Sequence, residues 1–147
     1  MELTGVDQHE FRAGQRRDWD QASKGWHEWS EFIDRMTAPV SERLMTMARV
    51  ESGQRVLDVA AGYGEPSLTA AKIVGPQGEV VATDISAGML AYGRERAAAA
   101  GLQNIEFVES DAASLDFPPG SFDAAVSRWG IIFEPTARMR PRGCAAS

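Results

Sequence analysis

The sequence predicts an α/β protein with a parallel sheet of about four strands and helices on both faces, preceded by an N-terminal helical segment. Three observations predict it. From residue 55 onward, short apolar runs alternate with helical patterns at the spacing of parallel strands joined by right-handed crossovers. The stretch RVLDVAAGYGEP, residues 55–66, reads as a buried strand (Val56, Leu57, Val59), a turn of small residues and a helix start. Ahead of it, Trp19, Trp26, Trp29, Phe32, Ile33 and Met36 recur at helical spacing.

Composition narrows the class. A chain of 147 residues makes one domain that can bury a real core. Apolar content of 44% and charged content of 24% fit an ordinary globular protein. The net charge of −6 argues against general nucleic-acid binding, which needs a basic face. No apolar run approaches a membrane-spanning length, and MELTGVDQHEF lacks a signal peptide's charged and apolar regions. The single cysteine, Cys144, excludes an internal disulfide and suits a reducing compartment, so a cytoplasmic location is expected.

Taken in order, residues 1–17 are polar, mixed in charge and read as a loose lead-in. The aromatics from Trp19 mark one face of an amphipathic helix, expected to be interrupted near Gly25. They pack that helix onto the domain or, on a sharper reading, form a lid over a ligand. Pro39 is expected to separate a second helix, Val40 to about Val50. A helix from Pro66 to about Val74 follows the first strand, and Gly75-Pro76-Gln77-Gly78 stops it. The second strand, Glu79–Thr83, ends at Asp84. Ser86 caps a helix over Ala87–Ala100, which Gly101 closes. The third strand, Ile105–Val108, runs into Glu109-Ser110-Asp111-Ala112, and the fourth covers Phe122–Ser127.

Ligands of an open parallel sheet sit outside the carboxyl ends of its strands. The spacing puts an acid at or near three such ends: Asp58, Asp84 and Asp111. Asp84 lies twenty residues beyond Gly64, where a carboxylate accepts from ribose hydroxyls and repels a 2′-phosphate. Any one of these acids alone is better explained as a cap or turn former. Three on one rim beside a glycine turn are not. The dinucleotide fingerprint is incomplete, because Gly62-Tyr63-Gly64-Glu65-Pro66-Ser67 ends in serine. Glu65 also puts negative charge where a pyrophosphate would sit, and Pro66 removes an N–H that could cradle it. The turn suits a nucleoside ligand without phosphate.

VLDVAAGYGEPS, VVATDISAGML and EFVESDAASLDFPPGSFDAAVSRWGIIF together resemble the class I S-adenosylmethionine-dependent methyltransferases, in particular the ubiquinone/menaquinone-biosynthesis-type branch. The likeness covers Trp19 to Glu134. It implies a Rossmann-like fold, S-adenosylmethionine as cofactor, and methyl transfer to oxygen, nitrogen or carbon of a small-molecule acceptor. By that resemblance Asp58 and the turn Ala60–Gly64, with Gly62 and Gly64, cradle the methionine end of the cofactor. Asp84 holds the ribose hydroxyls, while Ile85 and Met89 flank the adenine. Asp111 accepts from the adenine amino group and the Ala112 N–H meets a ring nitrogen. Ser127 and Arg128 close the site beneath the sulfonium. Ala60 stands where the family often has glycine. No catalytic residue is assigned: His9 and His27 are the candidate bases, but a lone histidine in a helix is more often structural.

After Phe133 the likeness ends. The expected division is a helical segment and lid over 1–50, an incomplete cofactor-binding core over 51–134, and an atypical tail over 135–147. That tail carries three arginines and no acid, and reads as a foreign ending such as a frameshift or truncation leaves. Its last four residues, Cys144 to Ser147, match the form of a prenylation signal by accident, with alanines in place of bulkier aliphatics. A cofactor-binding remnant without turnover is the alternative function, and an unrelated activity such as a hydrolase ranks lower. The sequence has no G-x-S-x-G elbow, no P-loop and no cluster at metal-ligand spacing. An open edge on the fourth strand predicts a homo-oligomer, joined near that strand or by exchange of the Trp19–Met36 segment.

Overall fold

Strand β1 (Arg55–Val59) lies between β2 (Glu79–Asp84) and β4 (Ala124–Val126), with β3 (Ile105–Glu109) outside β2, and every pairing is parallel. This computed structural model describes residues 7–133; the tail, its cysteine and its expected foreign character lie outside the described residues. Val56 pairs with Val80 and with Ala124, and Val80 with Ile105, so these side chains share one face. Helix α3 (Ser67–Val74) covers that face with Ala70, Ala71 and Val74, and Met45 of α2 (Ser30–Met47) completes the cluster. Helix α4 (Ala87–Ala99) joins them where Gly93 meets Phe107; a Cβ there would stand 2.8 Å from the ring.

The opposite face carries Leu57, Val59 and Val81 under Leu115, Phe117 and Phe122 from the connection between β3 and β4. Among the described residues, then, the α-helices packed on the sheet share one face, while the other is closed by that connection and its 3₁₀ turn at Ala112–Ser114. Strand β4 is shorter than the six residues expected. The Asp123 carboxylate accepts the Arg55 N–H at 2.8 Å, which replaces a ladder bond with a side-chain bond at its start.

The N-terminal segment departs furthest from expectation. Helix α1 runs from Gln8 to Glu28, so residues 8–17 are helical rather than a loose lead-in. Asp7 caps it, accepting from the His9 N–H at 2.9 Å. Gly25 lies inside α1, and the break falls instead at Trp29, whose N–H donates to the Gly25 and His27 carbonyls. Pro39 lies within α2 rather than ahead of a separate helix. The carbonyl it leaves without a helical partner belongs to Arg35; both residues are exposed, so water can serve it. The break at Trp29 also splits the aromatic stripe. Trp19 is half-buried, whereas Trp29, Phe32 and Met36 are 64%, 56% and 66% exposed.

Leu57, fully buried between its strand neighbours and the β3–β4 connection, tests the packing. Leu57→Ala should cost about 2–5 kcal/mol in urea unfolding, and Lys72→Ala, on an exposed helix face, within about 0.5 kcal/mol of nothing. Equal effects would contradict this placement of the core.

Candidate functional site

A cavity of about 280 Å³ opens at the carboxyl ends of the strands, between the sheet rim and α1. Its sheet-side wall is the turn Ala60–Tyr63 after β1, Asp84 and Ile85 after β2, Met89 of α4, and Ser110–Ala112 after β3. Phe11, Arg12, Gln15, Trp19 and Trp26 of α1 form the facing wall, and Arg128–Gly130 after β4 close the end.

Local backbone explains why the turn is open. Gly62 has φ of +58°, a left-handed conformation, and a Cβ added to it would meet nothing within 4 Å. Its N–H donates to Asp84 Oδ2 at 2.8 Å, while Asp84 Oδ1 accepts from the Ser86 N–H at 2.9 Å. Gly64 serves a different purpose: at φ +117°, a Cβ would lie 2.4 Å from Leu68 Cδ1, so glycine lets α3 close onto the turn. Ala60 also sits in the left-handed region, at φ +57°. Such a residue carries about 1–2 kcal/mol of strain that glycine would not.

Helix α1 is fastened to the same rim by polar contacts. Asp20 Oδ1 accepts from the Ser86 hydroxyl and from the Gly88 N–H. Arg16 Nε donates to the Ile85 carbonyl at 3.2 Å. Arg12 Nε lies 3.2 Å from Asp111 Oδ2, an ion pair without hydrogen-bond alignment. Asp111 Oδ1 meanwhile accepts from the Ala113 N–H. At the other end Arg128 donates to the Thr37 and Ser41 hydroxyls, both at 2.9 Å, which ties α2 to the end of β4. Trp26 stacks on Tyr63, whose hydroxyl donates to Asp34 at 3.0 Å, and Arg96 pairs with the same carboxylate.

Burial governs the site's acids. Asp58 is fully buried behind the turn; desolvation pushes its carboxyl up to about 7, against the opposing effect of a 2.6 Å bond from Ser67 Oγ. Glu65 is raised mainly by desolvation, although Thr69 donates to it at 2.8 Å. Asp84 is raised for the same reason, opposed by its backbone N–H donors. Burial and the nearby Asp34 push the Tyr63 hydroxyl up to about 12.

Of the residues singled out in the sequence, Ala60, Gly62, Asp84, Ile85, Met89, Asp111 and Ala112 line the cavity, as does Arg128. Asp58, Gly64 and Ser127 do not. Asp58 braces the turn from behind through Ser67, leaving Oδ1 without a partner, and Ser127 Oγ is likewise buried without one. His27 stacks on Tyr92 with centroids 4.1 Å apart, off the cavity wall, and His9 is exposed. Sequence reasoning missed Phe11, Arg12 and Gln15. The signal was present: Asp7 and Glu10 have capping-box spacing, and Phe11, Gln15, Trp19 and Trp26 follow at intervals of four, four and seven.

Sheet order, an open glycine turn and acids at adjacent strand ends define an open parallel α/β sheet with its cavity at the carboxyl ends of the strands. Residues 56–141 match the model of the methyltransferase domain family, and the chain belongs to that family. It is similar to demethylmenaquinone methyltransferase of Listeria monocytogenes serotype 4a (strain HCC23), 34% identical over 120 residues, which cover 76% of this chain and 51% of that protein. It is also similar to the ubiquinone/menaquinone biosynthesis C-methyltransferase UbiE of Pseudomonas fluorescens (strain SBW25), 43% identical over 114 residues, covering 76% and 40%. A solved SAM-dependent methyltransferase from Aquifex aeolicus superposes with a TM-score of 0.54 at 29% identity, over 59% of this chain and 46% of that one. A putative S-adenosyl-L-methionine-dependent methyltransferase from Methanococcus maripaludis shares the fold at a TM-score of 0.68 and 22% identity, covering 78% and 52%. The chain spans about half the length, or less, of the curated relatives it matches.

The raised Asp58 carboxyl makes stability depend on pH. Its folded pKa lies above its unfolded value, so the folded protein holds a proton that the unfolded chain has lost between about pH 4 and pH 7. Stability from this group is full below pH 4 and is lost as pH rises through 7, by roughly 4 kcal/mol at 1.36 kcal/mol per unit. Asp58→Asn should flatten that decline in urea unfolding followed from pH 5 to pH 8. Parallel profiles for the two proteins would contradict it.

Proposed function

We propose that the chain binds S-adenosylmethionine in this cavity and aligns it for methyl transfer to a small-molecule acceptor. The observation that carries the reading is two carboxylates, Asp84 and Asp111, at adjacent strand ends on one cavity wall, beside an open glycine turn. The residues fit the group. Gly62 leaves free the space a Cβ would take, Asp84 presents its carboxylate on the cavity wall, and Ile85 and Met89 give an apolar slot between the acids. Glu65 on the same wall opposes a pyrophosphate and favours a ligand with a positive centre.

In this proposal Asp84 holds the ribose hydroxyls, Ile85 and Met89 flank the adenine, and Asp111 and the Ala112 N–H address its edge. Ala60 and Gly62 border the methionine end, with Asp58 and Gly64 supporting the turn from behind and Ser127 beneath Arg128. When bound, S-adenosylmethionine supplies a methyl group already activated on a sulfonium. The protein's part is then alignment and exclusion of water, worth about 7–11 kcal/mol when geometry is ideal. Trp19, Trp26, Tyr63 and Trp129 on the wall favour a small apolar or phenolic acceptor, and relatives named for quinone biosynthesis support that class. Residues 1–50 act as the lid, 51–134 as the incomplete cofactor-binding core and 135–147 as an atypical tail, of which 135–141 fall within the family match. The setting is cytoplasmic, consistent with a single cysteine. A second reading, cofactor binding without turnover by this chain alone, draws on its spanning half or less of its relatives' length.

Calorimetry decides the ligand. S-adenosylmethionine or S-adenosylhomocysteine should bind, and NAD and ATP should not; the reverse would overturn the reading. Asp84→Ala should weaken cofactor binding by about 1–3 kcal/mol through lost charge-assisted hydrogen bonds. Unchanged affinity would make Asp84 a turn former only. Radiolabelled methyl transfer to quinol, phenol and sterol-like acceptors, run beside a longer relative as positive control, separates the two readings.

A further inference from the structure

We propose that α2 carries a homodimer interface, in which two copies pair their exposed helix faces antiparallel. Trp29, Phe32, Met36, Val40 and Met47 are all exposed, at 64%, 56%, 66%, 40% and 69%. At 100° per residue they fall within an arc of about 80°. They form an apolar stripe about 27 Å long, which the exposed Arg43 interrupts between Val40 and Met47. Nothing among the described residues covers it. Scattered apolar residues on a surface need no explanation, but a stripe of five along one helix does.

The pattern itself selects a second copy as occupant. The stripe is nearly symmetric about Ala38: Met36 and Val40 stand two residues to either side, Trp29 and Met47 nine. An antiparallel partner therefore sets Met36 against Val40 and Trp29 against Met47. The charges on one flank follow the same symmetry. Arg35 lies three residues before the centre and Glu42 four after it, on the same edge of the stripe, both exposed. Neither side chain forms an ion pair among the described residues. In an antiparallel pair, Arg35 of each copy stands beside Glu42 of the other.

Two other routes to a dimer are weaker. Strand β4 has three residues, so its open edge offers few groups to a pairing strand, and short edges are a native means of avoiding such pairing. Exchange of the aromatic segment would have to undo the contacts of Asp20 and Arg16 with the rim of their own chain. A helix face of this size buries less than about 1,200 Å² in total, which places the dimer among weak, reversible ones.

Sedimentation velocity on the full chain, from about 1 μM to about 100 μM, spans the dissociation range of so small an interface. The wild type should move from monomer to dimer with concentration. Met36→Glu and Arg35→Glu should each shift that transition at least about tenfold upward, a change of 1.4 kcal/mol. The double variant Arg35→Glu/Glu42→Arg, which restores opposite charges across the pair, should bring it back. All these positions are exposed, and circular dichroism checks that each variant folds. A monomer at every concentration overturns the proposal, whatever then covers the stripe. So does a dimer indifferent to these substitutions, or a double variant no better than Arg35→Glu.

Discussion

The carboxylate of Asp84 joins the turn after β1 to the residues that open α4. One oxygen takes the N–H of Gly62 in the turn after β1, and the other takes the N–H of Ser86 ahead of α4. The first bond holds the turn in its left-handed conformation at Gly62. The second sets Ser86, which caps α4 by accepting from the Met89 N–H at 3.1 Å and donates its hydroxyl to Asp20 of α1. A line of hydrogen bonds therefore runs from the glycine turn, through Asp84 and Ser86, to the helix that forms the far wall. Burying an acid is costly, and its raised pKa records that cost; the backbone N–H groups of Ser86, Gly62 and Ile85 offset part of it. The same acid that shapes the turn also lines the cavity.

Around that junction the molecule concentrates acids in a place where acids are unfavourable. Asp58, Glu65 and Asp84 all have carboxyls raised chiefly by desolvation. Arg12 and Arg128 are the cations on the cavity wall, and each is engaged, with Asp111 or with the hydroxyls of Thr37 and Ser41. A ligand bearing a positive centre would relieve the crowding, and a phosphate would aggravate it. The aromatic lining surrounds the same space with apolar surface, and a lowered local dielectric strengthens whatever electrostatic contacts form there.

The sheet and its rim were legible in the sequence because their signals are local. Short apolar runs, Ser86 before a helix, Gly101 after it and acids at strand ends each fix a feature within a few residues. The N-terminal third was less legible. Pro39 signals a boundary by its missing N–H, but an exposed carbonyl at Arg35 makes that loss tolerable and the helix runs on. Gly25 likewise failed to break α1, since a glycine costs a helix only about 1 kcal/mol. The cavity wall at Phe11, Arg12 and Gln15 was overlooked because the polar residues between them hide the helical interval. Asp58 was legible as a site residue by position, though its carboxylate turns behind the turn to meet Ser67, and only the folded chain brings that serine to it.

Asp84 ties three strand ends together, through its carboxylate to Gly62 and Ser86 and through its carbonyl, which accepts the Ser110 N–H at 2.9 Å. If they form one nucleoside site, all three should respond to one ligand. Amide NMR of labelled protein titrated with S-adenosylhomocysteine tests it most directly, because each strand end reports separately. The account predicts that the amides of Gly62, Ile85 and Ala112 shift together, with one common dissociation constant. Shifts confined to one of these ends, or found only outside the cavity, would contradict it.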